Sequence, residues 1–171
     1  MKSTKIGFVG VGRMGANMAR RLREVGYPVV AVFDSHQEIA VELGKELGCD
    51  AVSKVSRVSE LSDAVFTVVT DDAAMRQIYF GEDNLFAHAA GRLFVNCATI
   101  SPSVHVEVAK KGVEGGAKVI EAPMASSVTH AREGKLFFML AGDRAVIEES
   151  EPLLKDLSVK MKYVGGTGKA A

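Results

Sequence analysis

Gly7-Phe8-Val9-Gly10-Val11-Gly12-Arg13-Met14-Gly15 decides the fold of this chain, because the hydrophobic period changes across its glycines. Residues 6–9 form a short apolar run that favours a β-strand. After the glycines, apolar side chains recur at helical spacing, at Met14, Met18, Leu22 and Val25. The stretch therefore predicts a strand that enters a glycine turn and continues as a helix.

Gly10, Gly12 and Gly15 fit the pattern G-x-G-x-x-G, in which each glycine has a mechanical role. The first makes the tight turn, the second lets a pyrophosphate approach the backbone, and the third lets helix and strand pack closely. The N–H groups and the positive dipole end at residues 13–16 would then face the phosphates. The glycines alone are weak support, since the chain has 17 of them and such a turn needs one for purely structural reasons.

Asp34 strengthens the pattern. It ends the next apolar run, residues 29–33, about twenty residues after the glycines, where an acid accepts hydrogen bonds from the adenosine ribose hydroxyls. The alternative interpretation gives Asp34 a capping role and the glycines packing roles. The combination favours dinucleotide binding over that alternative.

Composition narrows the class of protein. A length of 171 residues suits one domain with a sizeable core. The 21 basic residues balance the 21 acidic ones, so we expect neither a nucleic-acid nor a membrane partner. Residues 1–5 lead directly into a strand, and the expected location is cytoplasmic. We expect Cys49 and Cys97 to be buried and reduced, and the scattered histidines predict no metal site.

Helical and extended patterns alternate along the chain. Strands are predicted at residues 6–9, 29–33, 51–52, 64–69, 93–96, 119–120, 136–141 and 160–163. Helices are predicted at residues 13–25, 36–47, 55–61, 71–80, 102–113 and 145–157. Ser35 and Glu38 form a capping box for the second helix. The alternation is typical of an α/β fold: a doubly wound, mostly parallel Rossmann-type sheet with helices on both faces and an antiparallel edge.

Ligands of such a sheet lie beyond the carboxyl ends of its strands, and two loops there are informative. Residues 97–102 join a strand to a helix that begins at Ser101-Pro102, and we favour an N-cap role for Ser101 over a catalytic one. Residues 121–127 contain the rigid Pro123 followed by small and hydroxylated residues.

Three segments together resemble the β-hydroxyacid dehydrogenases, the family of 3-hydroxyisobutyrate, tartronate-semialdehyde and glyoxylate/succinic-semialdehyde reductases. Residues 7–15 are similar to the family's G-x-x-G-x-G-x-M-G opening, and residues 98–102 to its S-T-I-S-P loop beside the nicotinamide. Residues 121–127 are similar to its D-A-P-V-S-G-G/S substrate segment. The resemblance covers essentially the whole chain. It implies a dinucleotide-dependent oxidoreductase that acts on a small 3-hydroxy acid or its semialdehyde. Asp34 predicts NAD rather than NADP, since its carboxylate would repel a phosphate on the ribose 2′-oxygen.

The resemblance also implies site residues. The cofactor-binding set is Gly10, Gly12, Arg13, Met14, Gly15, Asp34, Val69, Thr70 and Thr99, and the substrate-binding set is Ala125, Ser126 and Ser127. Ala125-Ser126-Ser127 departs from the family's Ser-Gly-Gly or Ser-Gly-Ser, which leaves the substrate open. Thr70 and Ala98 replace a proline and a serine of many relatives.

Residues 165–171 resemble the glycine-rich entry to the family's interdomain helix, in which the catalytic lysine directly follows the position of Ala171. We therefore expect a dinucleotide-binding domain at residues 1–164 and the start of that helix at 165–171, without the C-terminal helical domain. We assign no catalytic residue and expect no turnover from these residues alone. We favour solvated, non-catalytic roles for Lys169 and His130.

Two functions stay open at this point. The first is the cofactor domain of an enzyme that is a homo-oligomer in its full-length form. The second is a non-enzymatic module that senses a dinucleotide or docks a partner, which the fold alone does not exclude.

Overall fold

The computed structural model describes residues 2–171. Its strands are β1 (Ile6–Val9), β2 (Val29–Phe33), β3 (Asp50–Ala51), β4 (Ala64–Thr67), β5 (Leu93–Asn96), β6 (Lys118–Glu121), β7 (Leu136–Gly142) and β8 (Ser158–Gly165). Its helices are α1 (Arg13–Glu24), α2 (Gln37–Leu47), α3 (Val55–Leu61), α4 (Asp72–Phe80), α5 (Pro102–Glu114), α6 (Val128–Glu133) and α7 (Arg144–Lys155). A short 3₁₀ helix spans Leu85–His88.

The eight strands form one sheet in the order β3-β2-β1-β4-β5-β6-β7-β8. Strands β1 to β6 pair in parallel, and β7 runs antiparallel to β6 but parallel to β8. The predicted doubly wound α/β sheet with an opposed edge is therefore confirmed. The strand order reverses between β1 and β4, which creates the crevice where this class of sheet binds ligands.

Both faces of the sheet are covered, which explains why the central strands are almost entirely apolar. Phe8 and Phe66 stack at 5.1 Å between ring centroids on the face covered by α1, α2, α6 and α7. Their neighbours Val9 and Val65 point to the face covered by α3, α4 and α5. Neighbouring residues thus serve opposite cores, as the two-residue period of a strand requires.

The second helix begins differently from the prediction. It starts at Gln37, and its N-cap is His36, which makes no side-chain capping bond, so the Ser35–Glu38 capping box was wrong. The carboxylate of Asp34 instead accepts the His36 N–H at 2.9 Å. This bond sets the turn between β2 and α2 and displaces Ser35 from the cap.

Other differences lie in the loops. Strand β4 ends at Thr67, two residues earlier than predicted, because Val68 and Val69 leave the sheet to line a cleft. Helix α6 was missed, since a six-residue helix shows too little periodicity to detect. Residues 167–170 form turns, and the domain boundary at residue 164 stays a prediction.

Cys97 is buried as predicted, whereas Cys49 is partly exposed. None of the helices within residues 2–171 combines the length and the apolar character that crossing a membrane requires.

Candidate functional site

A cleft of about 480 Å³ lies at the carboxyl ends of β1, β2 and β4, where the strand order reverses. Its walls come from the glycine turn, the end of β2, the residues after β4 and one face of α4. Small-molecule sites typically occupy about 300–1,000 Å³ and favour such switch points. The fold therefore places one ligand-sized cleft where the sequence predicted binding.

Two of the three glycines in the turn are required by the protein's own structure, and the third is not. Gly10 has φ +90°, and a Cβ there would overlap the carbonyl oxygen of Val68. A Cβ on Gly15 would overlap the carbonyl oxygen of Gly10, so helix α1 packs too closely for any side chain. Gly12 has an ordinary φ of −64°, and a Cβ there would meet nothing within 4 Å. Neither backbone conformation nor internal packing requires glycine at position 12.

Helix α1 begins at this turn and suits an anion. Gly12 is its N-cap and provides no side-chain bond, and its first turn carries no acid. The first N–H groups of a helix have no intrahelical partner and carry the equivalent of about half a positive charge. Arg21 and Arg23 in the last turn complement the opposite dipole end. The open space at Gly12 thus faces an electropositive, hydrogen-bond-donating helix end.

Asp34 joins the glycine turn to the end of β2. Its Oδ2 accepts the Val11 N–H at 2.9 Å, and its Oδ1 accepts the His36 N–H at the same distance. The side chain is 13% exposed, and it lines the cleft beside Ser35 and His36. Each oxygen of a carboxylate has a further lone pair after accepting one bond. Asp34 can therefore hold the turn and still accept a bond from a ligand.

The remainder of the cleft is a slot formed by α4, the first residue of α3 and the loop after α4. Val55, Ala74, Gln77, Ile78 and Asp83 line it. The Asp83 carboxylate accepts the Val55 N–H at 2.7 Å and the Ser56 N–H at 3.2 Å. Burial opposes ionisation of Asp83, but the Ser56 side chain, these N–H groups and the charge of Lys54 together outweigh it and lower the pKa of the carboxyl.

A second, shallower opening lies between the residues after β4 and those after β5. Thr70, Asp72, Thr99 and Ser101 border it. The Ser101 hydroxyl donates to Asp72 Oδ2 at 2.6 Å, and the Ser101 N–H donates to Asp72 Oδ1 at 2.8 Å. These bonds lower the pKa of Asp72. Ser101 holds the predicted N-cap position of α5, but its side chain ties the loop to α4 instead of capping.

The predicted substrate segment is held by its own serines. The Ser126 hydroxyl donates to the Ala125 carbonyl at 2.7 Å and accepts the Phe137 N–H at 2.9 Å. The Ser127 hydroxyl accepts the His130 N–H at 3.2 Å, and His130 Nδ1 accepts the Ser127 N–H at 3.3 Å. His130 thus completes a capping box for α6. Ser127 keeps its own O–H free to donate.

Residues 5–165 match the family described as the NAD binding domain of 6-phosphogluconate dehydrogenase. The chain belongs to this NAD-binding domain family. The predicted resemblance to β-hydroxyacid dehydrogenases is also confirmed. The chain is 32% identical to mouse mitochondrial 3-hydroxyisobutyrate dehydrogenase over 171 residues, which cover 98% of this chain and 50% of that protein.

Two further relatives support the resemblance to β-hydroxyacid dehydrogenases. The 2-hydroxy-3-oxopropionate reductase of Escherichia coli K12 is 34% identical over 96% of this chain and 56% of its own length. The solved 3-hydroxyisobutyrate dehydrogenase of Mycobacterium tuberculosis with L-serine superposes with a TM-score of 0.90 at 28% identity, covering 99% of this chain and 57% of that one. The chain spans about half the length of the curated relatives it matches.

Within this NAD-binding domain, the structure brings most predicted cofactor residues together. Gly10, Gly12, Asp34, Val69 and Thr70 line the main cleft. Thr99 borders the adjoining opening with Thr70. Arg13 lies outside the cleft on an exposed groove, and Met14 packs partly against the core. Gly15 is buried beneath the turn.

Sequence reasoning missed the slot residues. Ala74 and Ile78 recur at helical spacing, which predicts a helix but no binding site. Asp83 follows α4 without any local signal, because its partners lie 28 and 27 residues earlier. Ile39 shares helix α2 with the buried Leu43 and Leu47, but it is 38% exposed and lines the cleft.

Proposed function

We propose that this chain is the NAD-binding domain of an oxidoreductase acting on a small 3-hydroxy acid or its semialdehyde. The contrast among the three glycines carries the proposal. Protein atoms lie too close to Gly10 and Gly15 to admit a Cβ, whereas Gly12 faces open space at a helix N-terminus. Packing accounts for the first two glycines, and a ligand close to the backbone would account for the third.

The described residues fit a dinucleotide. The first-turn N–H groups of α1 would hold the pyrophosphate, and Asp34 would accept the adenosine ribose hydroxyls. The base would enter the slot beside Ala74 and Ile78. Thr70 and Thr99 border the opening left for the nicotinamide half. When bound, the cofactor supplies the hydride chemistry, and the chain supplies position and charge.

Asp34 favours NAD over NADP. A phosphate on the ribose 2′-oxygen would bring negative charge beside the Asp34 carboxylate. Two unit charges about 4 Å apart repel by roughly 4 kcal/mol at an effective dielectric of 20, before screening by salt. Ser35 and His36, which follow Asp34 along the cleft wall, provide no guanidinium to bind that phosphate.

The substrate class rests on the resemblance and on residues 125–127. Ser126 uses its hydroxyl within the protein, whereas Ser127 keeps an O–H donor that a substrate carboxylate would accept. We assign proton transfer to the lysine that the resemblance places after Ala171. The activity of the whole protein is therefore part of the proposal, together with its substrate.

The test is calorimetric titration of NAD into the 171-residue chain and its Gly12→Val variant. The valine side chain would occupy the space above the turn, so the variant should show no measurable NAD binding while its circular dichroism matches the parent. Gly166→Val is the matched control, because Gly166 also has ordinary φ and no neighbour within 4 Å of a Cβ, but lies outside the cleft. Normal NAD binding by Gly12→Val would show that the phosphates lie elsewhere.

A further inference from the structure

The slot at the end of the cleft contains a charged group that the pyrophosphate and ribose do not use. The glycine turn and Asp34 account for those two parts of a dinucleotide. The base then faces the slot residues Val55, Ala74, Ile78, Gln77 and Asp83. The first three provide apolar contact, which any purine would accept. Selectivity among purines must come from the polar residues.

Asp83 is a fixed hydrogen-bond acceptor in this slot. Its two oxygens accept the Val55 and Ser56 N–H groups at 2.7 and 3.2 Å, so the start of α3 sets the orientation of the carboxylate. Those bonds also favour its ionised form. An ionised carboxylate only accepts hydrogen bonds, and each oxygen retains a lone pair after one bond.

We propose that Asp83 makes this site selective for adenine by accepting a hydrogen bond from the 6-amino group of the base. The inference rests on the proposed binding of NAD. Adenine has an N–H donor at this position, whereas hypoxanthine has a carbonyl oxygen there. A carbonyl oxygen facing a carboxylate gains no hydrogen bond and is repelled. The slot therefore rejects a 6-oxopurine even though its shape accommodates one.

The test compares NAD with nicotinamide hypoxanthine dinucleotide, in which a 6-oxo group replaces the 6-amino group of the base and N1 carries a proton. A hydrogen bond to a charged group is worth about 1.5–3 kcal/mol, so the parent chain should bind NAD about 10- to 150-fold more tightly. Asp83→Asn keeps an oxygen for the Val55 N–H and adds an NH₂ donor, so the ratio of the two dissociation constants should fall to near one or reverse.

Asp143→Asn is the matched control. Asp143 also accepts a helix N–H, from Val146 at 3.2 Å, but it caps α7 away from the cleft. This variant should keep the parent ratio. Circular dichroism and a thermal melt establish that each variant is folded.

The outcomes separate the two proposals. A parent ratio near one with intact NAD binding would overturn the adenine assignment and leave the proposed function standing. A strong preference for NAD that Asp83→Asn does not alter would overturn the role of Asp83. Absence of binding by either dinucleotide would overturn the proposed function itself. The parent comparison needs no variant, so a parent ratio near one overturns the adenine assignment even where Asp83→Asn does not fold.

Discussion

Two hydroxyl groups donate to the buried amide of Asn96, and their contributions to the free energy of unfolding should depend on each other. Asn96 ends β5, and its Oδ1 accepts hydrogen bonds from Thr67 Oγ1 at 2.8 Å and from the Tyr79 hydroxyl at 2.5 Å. All three side chains are fully buried. The network connects β4, β5 and α4 directly beneath the two openings of the candidate site. We expect Thr67→Val and Tyr79→Phe to destabilise the protein more together than their separate effects predict.

The magnitude follows from how many partners Oδ1 retains. Either single variant leaves one donor, so each should cost about 0.5–1.5 kcal/mol of unfolding free energy, the net worth of one hydrogen bond. The double variant leaves a buried carbonyl oxygen with neither hydroxyl. Such a group carries a desolvation penalty of about 1–3 kcal/mol. The expected coupling between the two positions is therefore about 1 kcal/mol or more.

Urea unfolding of the parent, both single variants and the double variant measures this coupling as a double-mutant cycle. At this chain length, each kcal/mol lowers the melting temperature by about 2–4 °C, so thermal melts provide an independent check. Unfolding free energies that add to within about 0.5 kcal/mol would refute the reasoning. The Asn96 carbonyl would then have another partner, or would not depend on these hydroxyls.

Two further predictions concern charged side chains. Asp34→Asn should narrow the preference for NAD over NADP, which calorimetry should place at tenfold or more in the parent; equal parent affinities would contradict the role of Asp34. Glu121 is 2% exposed, and burial raises its pKa against the hydrogen bond from the Gly168 N–H. The raised pKa makes the residue's contribution to stability favourable below its unfolded pKa and progressively lost as pH rises through the folded value. Glu121→Gln should therefore stabilise the protein at pH 7–8 and much less near pH 4, as measured by urea unfolding; an equal effect at both pH values would contradict this.

The glycine turn and its place beside the cleft were predictable because their signals are local. Neighbouring residues predict the turn from β1 to α1, because the hydrophobic period changes there and three glycines have the spacing of the motif. Asp34 follows at the end of the next strand, and its place in the cleft needs only the parallel pairing of β1 with β2. Short sequence separation allowed the motif to specify both the fold and the position of the site.

The parts that were missed depend on distant partners. Asp83 was unpredicted because its two N–H donors come from the start of another helix. Ser126 was predicted to bind substrate, but the pairing of Met124 with Phe138 brings the Phe137 N–H to its hydroxyl. Ser35 had the residue type of an N-cap, but the neighbouring Asp34 carboxylate took the His36 N–H. In each case, the role of the side chain depends on a backbone N–H group whose hydrogen-bond partner cannot be predicted from the sequence.

Asp34 couples two parts of the site that the sequence motif treats separately. Its bond to the Val11 N–H holds the glycine turn, and the same carboxylate lines the cleft where we propose that the ribose binds. Removing the whole side chain would release the turn and the ribose contact together, so the loss of affinity would not identify which part failed. Asparagine keeps an oxygen for the Val11 N–H, removes the charge, and places an NH₂ group where an oxygen accepted the His36 N–H. A change in the NAD to NADP ratio without a loss of NAD affinity would therefore assign the charge to cofactor choice and the Val11 bond to the shape of the phosphate turn.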